Sequence, residues 1–401
     1  MSASRIPKKT QPENGNRAKQ PSIHPSHSCQ MSDPKPALSY VPYTDSVEKE
    51  HPDEAHTFAE LAATMRHISE IVNDRSRNAF RAVHAKSHCL LKAEMTVLDD
   101  IGTPVQQGLF QPGSQYPIIM RFSTNPGDIL PDSISSPRGL ATKVVGIVNA
   151  EMVPNHVGEV TQDFVLINGS KAFGAPDAAA FLKTVKLLER HAADSEGLKQ
   201  FVSTSTRLLE NVLESVGGGS EMLKGFGHPE TNILGESFYS KVPIRYGAYI
   251  AKLSIQPVSE NLKQLTGKHV PHLGKLHSGL RDEAVTFFET ETAEWNVCVQ
   301  LCTDLEKMPI EDPSIEWPED LSPYIPVARI VARPQNAYSA KRRVYVDEKL
   351  SFTPWHCLAA HRPLSNIMRA RFHAYKASAD FRHSANGREM VEPRSIDEVP
   401  D

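Results

Sequence analysis

Two short stretches hold side chains whose types and spacing can do chemistry. Arg371-Phe-His-Ala-Tyr375 sets a guanidinium and a phenol four residues apart. On a helix that spacing stacks them one turn apart on the same face. A cation beside a phenol favours the phenolate, and a phenolate is a competent ligand for ferric iron in a porphyrin. The other stretch, Arg81-Ala-Val-His84-Ala-Lys-Ser-His88, offers an imidazole for acid/base work. On a strand His84, Lys86 and His88 share one face. Two histidines four apart also suit a metal, but no carboxylate or cysteine clusters with them. Taken singly, both stretches have plainer readings: a satisfied core histidine, and a surface tyrosine on an arginine-rich helix.

The elements that must position these residues are readable from periodicity. Phe58, Leu61, Met65, Ile68 and Val72 recur at helical spacing. Strand-like stretches follow at Arg81 to Leu98, Ile118 to Phe122, Thr142 to Val148 and Phe164 to Ile167, with Gly and Pro in the gaps. Pro176 suits a first helical turn, with Phe181, Val185 and Leu188 as its stripe. A second helix is expected over roughly Leu198 to Leu213, ended by Gly217-Gly218-Gly219, which lacks the strand and the Gly-Lys-Ser or Gly-Lys-Thr of a phosphate loop. Alternation returns at Tyr249, Ala251, Leu253 and Ile255, and at Trp295, Val297, Val299 and Leu301, with a further short run from Val327 to Val331. A helix from about Ser365 to His383, between Pro363 and Gly387, carries Arg371 and Tyr375. Strands, helices, strands and a last helix in that order predict an α+β fold with antiparallel pairing.

Residues 1–50 contain seven prolines and almost no aromatics. They read as a disordered arm before one domain over 51–401, because too little apolar surface is present to offset ordering entropy. The formal net charge of -4 argues against a nucleic-acid partner. No apolar run approaches the ~20 residues that span a bilayer. With no secretory signal, no Ser-Lys-Leu type terminus and five cysteines, an odd number, the expectation is a cytoplasmic protein in a reducing compartment. Cys298 and Cys302 share a strand face, and are read as buried core thiols rather than a zinc pair.

Several further words occur with these in a fixed order, and together they resemble the catalases. Arg81-Ala-Val-His84-Ala-Lys is similar to the family's Arg-Val-Val-His-Ala-Lys. Arg121-Phe-Ser123-Thr matches its Arg-Phe-Ser-Thr, and Pro137-Arg138-Gly139-Leu-Ala-Thr-Lys143 resembles its Pro-Arg-Gly-Phe-Ala-Val-Lys. Arg371-x-x-x-Tyr375, with Arg382 seven residues on, falls where that family has its proximal motif. The resemblance runs from about residue 78 to 385. It implies an antiparallel β-barrel core with flanking helices, and haem b between the barrel and a C-terminal helix. Tyr375 would be the iron ligand, with Arg371 holding it as phenolate. His84 would be the distal acid/base, oriented by Ser123. Arg81, Arg121 and Arg382 would grip the haem propionates, Val83 would pack on the distal porphyrin face, and Phe173 would stack near the haem edge.

The chain also departs from the family. Where catalases have a distal asparagine before Thr-Pro-Ile-Phe-Phe-Ile, this chain reads Val160-Thr161-Gln162-Asp163-Phe164. Thr161 is the candidate to supply the missing polar hydrogen, with Gln162 beside it. The long N-terminal threading arm and the region after the proximal helix are shortened, as in small, divergent catalase-like haem proteins. The expected activity is haem-dependent peroxide chemistry on hydrogen peroxide or an organic hydroperoxide. The alternatives are a specialised haem enzyme acting on a small organic substrate or a fatty-acid hydroperoxide, and a haem binder without turnover. A homo-oligomer is a further implication of the family.

Overall fold

The computed structural model describes residues 39–134, 136–192, 231–273 and 276–401. The helix expected over 198–213 and the glycines 217–219 lie outside the described residues.

Nine strands form one antiparallel sheet: β1 (Lys86–Val97), β2 (Gln115–Thr124), β3 (Arg138–Val145), β4 (Thr161–Asn168), β5 (Phe238–Tyr239), β6 (Ile244–Tyr246), β7 (Tyr249–Pro257), β8 (Ala293–Leu301) and β9 (Ile325–Ala332). Their order is β5-β4-β3-β2-β1-β9-β8-β7-β6, and the additional pairing of β5 with β7 closes an eight-stranded barrel. Closure removes the unpaired edges that an open sheet presents. The alternating apolar residues of each strand point inward, so that Met95, Phe122, Phe164, Ile255, Trp295 and Ile330 belong to one buried core. A void of about 10 Å³ between Met95, Phe164 and Val297 is at the limit of room for one water. The barrel interior around this void is therefore side-chain core.

Among the described residues, four helices of ten residues or more lie outside the barrel: α1 (Glu54–Ser76), α2 (Ala178–Ala192), α3 (Gly279–Phe288) and α4 (Asn366–Ala385). The stripe read from the sequence is the buried face of α1, where Phe58, Leu61, Met65 and Ile68 pack with Leu182 and Val185 of α2 and with Met368, Ala370 and Ala374 of α4. Two alanines on that face of α4 allow close approach to α1. Among the described residues no helix is long and apolar enough to cross a membrane. Cys298 and Cys302 are free, buried core thiols.

Two expectations are corrected. Residues 39–50, assigned by composition to the arm, are docked on the domain. Val41 N–H donates to Cys302 O at 2.8 Å, Pro42 bridges Tyr249, and Glu48 pairs with Arg362 and Arg369 at 2.7 and 2.8 Å. Backbone pairing, ion pairs and the packing of Tyr40, Val41, Tyr43 and Val47 on the core hold this stretch. Second, β1 begins at Lys86 rather than Arg81. His84 has φ of 52°, which breaks the extended run before it, so His84 does not share a strand face with Lys86 and His88. Lys86 is instead buried against Asp132 at 2.6 Å, and His88 bonds Thr124 Oγ1 at 3.0 Å.

The start of α4 is fixed by acids. Ser365 N–H donates to Glu48 at 2.9 Å and Asn366 N–H to Glu311 at 2.7 Å, as suits the positive end of a helix. Arg369, one turn later, joins Glu48, Glu54 and Glu311. Replacing Arg369 by Met leaves three carboxylates facing one another in a largely buried site, which should cost about 3 kcal/mol. Chemical denaturation measures this, and an unchanged midpoint would remove the cluster as the anchor of α4.

Candidate active site

His84 lies in the bend that leads into β1, and its left-handed backbone aims the ring away from the strand. Histidine adopts this conformation more readily than most residues. The bend is pinned on both sides: His84 N–H donates to Asn125 Oδ1 at 3.2 Å, and Arg121 Nη2 donates to His84 O at 2.7 Å. The ring enters a niche on the outer face of β2 and β3. A Cβ added to Gly139 would stand 2.6 Å from His84 Nδ1 and 3.2 Å from Ser123 Oγ. Glycine is thus required here by close approach, and its absent side chain is the space that the imidazole uses. Ser123 Oγ adjoins this niche, where it donates to Gly139 O at 3.4 Å, while His84 Nδ1 is buried with no hydrogen-bond partner.

Burial, with Arg121, Arg371 and Lys241 nearby, pushes the His84 pKa down to about 3. The imidazole is therefore neutral, with a free ring nitrogen, through the whole ordinary pH range.

Tyr375 stands on α4, one turn after Arg371 as the spacing predicts. Arg371 Nη2 donates to Tyr375 Oη at 2.6 Å. Helix α4 and the His84 bend are tied directly, because Ala82 N–H donates to Ser378 Oγ at 3.1 Å and Ala79 N–H to Asn386 Oδ1, just past the helix, at 2.9 Å. Val83 and Phe173 pack into the same apolar cluster as Ala370 and Ala374 of α4. Phe173 also meets Phe181 of α2, with ring centroids 5.3 Å apart.

Arg81, Arg121 and Arg382 come together, but around a residue that the sequence reading missed. Asp347 Oδ1 accepts from Arg81 at 3.1 Å, from Arg121 Nε at 3.0 Å and from Ser87 Oγ at 2.5 Å. Arg382 donates to the carbonyls of Asp347, Glu348 and Leu350 at 2.7 to 3.0 Å. Asp347 sits in a wide helical turn, Val344–Lys349. Burial pushes its carboxyl up, yet Arg121 and Arg81 outweigh that and hold it below the usual carboxylate value. Arg81 and Arg121 bond the Asp347 carboxylate and Arg382 bonds its carbonyl, with the Glu348 carboxylate also near Arg382. Arg382 Nε is buried without a hydrogen-bond partner, and beside it opens a cavity of about 190 Å³ lined by Arg81, Arg281, Arg343 and Arg382 together with Lys86, Asp347 and Glu348. A group of guanidiniums, an orphan donor and an open cavity suit the two carboxylates of a haem edge. Nothing in the sequence near Asp347 marks it, since its partners lie 226 to 266 positions earlier.

Thr161 does not join this group. It lies across from Val145, six register positions along β3 and β4 from Gly139, or about 20 Å at the strand rise. Its hydroxyl bonds His356 Nε2 at 2.7 Å and Glu392 Oε1 at 2.6 Å. The expectation of Thr161 as a distal donor is corrected: the two-residue period put it on the proper face, but at the wrong height. Gln162 points away from the site and accepts from Leu358 N–H at 2.8 Å.

No family model matches the chain, and no curated protein matches it. Solved structures do. A fungal catalase superposes with a TM-score of 0.55 at 16% identity, over 81% of this chain and 66% of its own. A bacterial catalase gives 0.54 at 16% identity, over 94% and 71%. Catalase A from Saccharomyces cerevisiae gives 0.52 at 16% identity, over 81% and 69%. The chain has the catalase-like fold, and it spans about two thirds of the length of these proteins.

Two outcomes follow. The folded His84 value of about 3 lies below the ordinary 6.5, so between those values the unfolded chain binds a proton that the folded chain refuses. Stability contributed by His84 is thus complete above about pH 6.5 and lost as pH falls toward 3. Thermal midpoints at about pH 4.5 and about pH 7.5 should differ less in His84→Asn than in the parent; equal differences would contradict a buried neutral imidazole. Asp347→Asn removes the carboxylate that Arg81 and Arg121 share, and should destabilise the cofactor-free protein by about 3 kcal/mol, read from denaturant midpoints.

Proposed function

We propose that this protein is a haem-dependent oxidoreductase that uses peroxide, with Tyr375 as the iron ligand and His84 as the acid/base on the other face. The observation that supports this is the tie between the His84 bend and α4, from Ala82 N–H to Ser378 Oγ, with Arg371, which bonds Tyr375, near enough to His84 to act on it by charge. The arginine trio would hold the propionates of haem b. Val83 and Phe173 would supply apolar contact for the ring. Once bound, haem contributes the iron redox chemistry that breaks an O–O bond.

The chain's own residues do the rest. His84 would take the proton from one peroxide oxygen and return it to the departing one, a transfer worth about 10²–10⁴-fold in rate. Gly139 and Asn125 keep the ring in place, and Ser123 offers a hydroxyl at the edge of its niche. Arg371 donates to the Tyr375 oxygen and would favour its anionic form as a ligand.

With Thr161 and Gln162 both engaged elsewhere, neither supplies a second polar donor beside His84. Hydrogen peroxide would then be oriented by one group only, so disproportionation should be slow. An organic hydroperoxide, which brings its own apolar contacts, is favoured by the same observation.

The purified protein should show an intense Soret absorbance, lost or strongly shifted in Tyr375→Phe. His84→Ala should keep the absorbance and lose at least about a hundredfold in peroxide turnover, followed by oxygen evolution and by hydroperoxide consumption. Full absorbance with no turnover of either peroxide would make the protein a haem binder, and no absorbance in the parent would end the haem reading.

A further inference from the structure

At the other end of β3 and β4, away from His84, two loops are stitched together by backbone pairing. Val153 N–H donates to Cys357 O at 3.1 Å, Asp163 N–H to His356 O at 2.8 Å and Ala359 N–H to Glu151 O at 2.8 Å, and Met152 bridges Leu358. The first loop contains the short turn Pro154–His156 and then Glu159. The second contains His356. Their side chains converge: Glu159 Oε2 lies 2.7 Å from His156 Nδ1 and 2.8 Å from His356 Nε2. The two rings stack with centroids 4.2 Å apart, and the three donor atoms all lie within 4.8 Å of one another.

We propose that His156 Nδ1, the Glu159 carboxylate and His356 Nε2 form a binding site for a divalent cation of the zinc class. Two imidazoles and one carboxylate are a donor set that zinc takes, with a fourth position left for water. Nitrogen donors favour zinc over magnesium or calcium, which take oxygen. The surroundings fit in three further respects. The far nitrogen of His356, Nδ1, faces Glu392 Oε2 at 3.6 Å. A carboxylate behind a ligating histidine fixes its tautomer and orientation at metal centres. Glu392 is itself held by Lys143 at 2.7 Å and by Thr161 at 2.6 Å.

Charge is the second respect. Within this bonded cluster Lys143 pairs with Asp163 and Glu392, while the Glu159 carboxylate lies against the two imidazoles. With neutral imidazoles the cluster holds more carboxylates than cations, an excess that a divalent cation offsets. The third is access. The His356 side chain is 5% exposed, whereas His156 and Glu159 are 21% and 35% exposed, so the site has one buried anchor and one open side. Donors around a tetrahedral zinc stand about 3.4 Å apart, from bonds of about 2.1 Å. The two outer side chains would move outward by about half an ångström, and the turn beside them has room, since nothing lies within 4 Å of a Cβ placed on Gly158.

The test uses the full chain, stripped with a chelator and titrated with zinc chloride by calorimetry, then with cobalt(II) followed by visible absorption. One equivalent of zinc, a cobalt spectrum of low-coordinate type and a thermal midpoint raised by several degrees are expected. All three should be lost in the double variant His156→Ala/Glu159→Gln. These positions are partly exposed and distant from Tyr375 and His84, so the variant should fold and keep whatever Soret absorbance the parent has. That absorbance, read on the same samples, separates failure here from failure of the haem reading. No stoichiometric binding by the parent overturns the proposal. So does equal binding by the variant, which would place the cation on others of the 17 histidines.

Discussion

The outer layer of this molecule turns on one buried carboxylate. Asp347 joins Arg81 from the bend before β1 with Arg121 from β2, and its own carbonyl takes Arg382 from α4. Buried guanidiniums are tolerable only when paired and bonded. This shared acceptor therefore obliges the bend, the barrel wall and the last helix to meet. His84 lies three residues from Arg81 and its carbonyl accepts from Arg121. Tyr375 lies seven residues before Arg382 on α4. The ionic cluster thus sets where both reactive side chains stand, although it touches neither ring.

The closed barrel makes this arrangement necessary. Its interior is filled with apolar side chains and holds a void for at most one water, so chemistry is displaced to the outer faces of β1 to β4. Those faces serve two polar centres at opposite ends of the same strands. One is the Gly139 niche with His84; the other is the His156, Glu159 and His356 group, backed by Lys143 and Glu392. Thr161 belongs to the second, which explains why it is missing from the first. The core of the sheet supplies rigidity to both, as a scaffold does for sites built on its rim.

Much of the fold was legible from periodicity. The buried stripe of α1, the alternation in β7 and β8, and the helix expected from about Ser365 to His383, seen at Asn366–Ala385, all follow from a local period of apolar residues that burial then satisfies. The Arg371–Tyr375 contact was legible for the same reason, since a separation of four residues has one meaning on a helix. The break before Lys86 was not. An extended run and a left-handed residue at His84 differ in one torsion, and the contacts that favour it come from Asn125 and Arg121, 41 and 37 positions away.

The amino-acid sequence by itself determined most of the elements, the candidate side chains and the order of words that resembles one enzyme family, because these depend on neighbours within a turn or a strand. Only the tertiary structure decided which distant groups share a site. It paired Asp347 with the arginines, moved Thr161 to another centre by strand register, and docked residues 39–50 by backbone bonds and ion pairs. Such choices rest on long-range pairing and on the cost of leaving a buried charge alone, and neither leaves a local pattern to read.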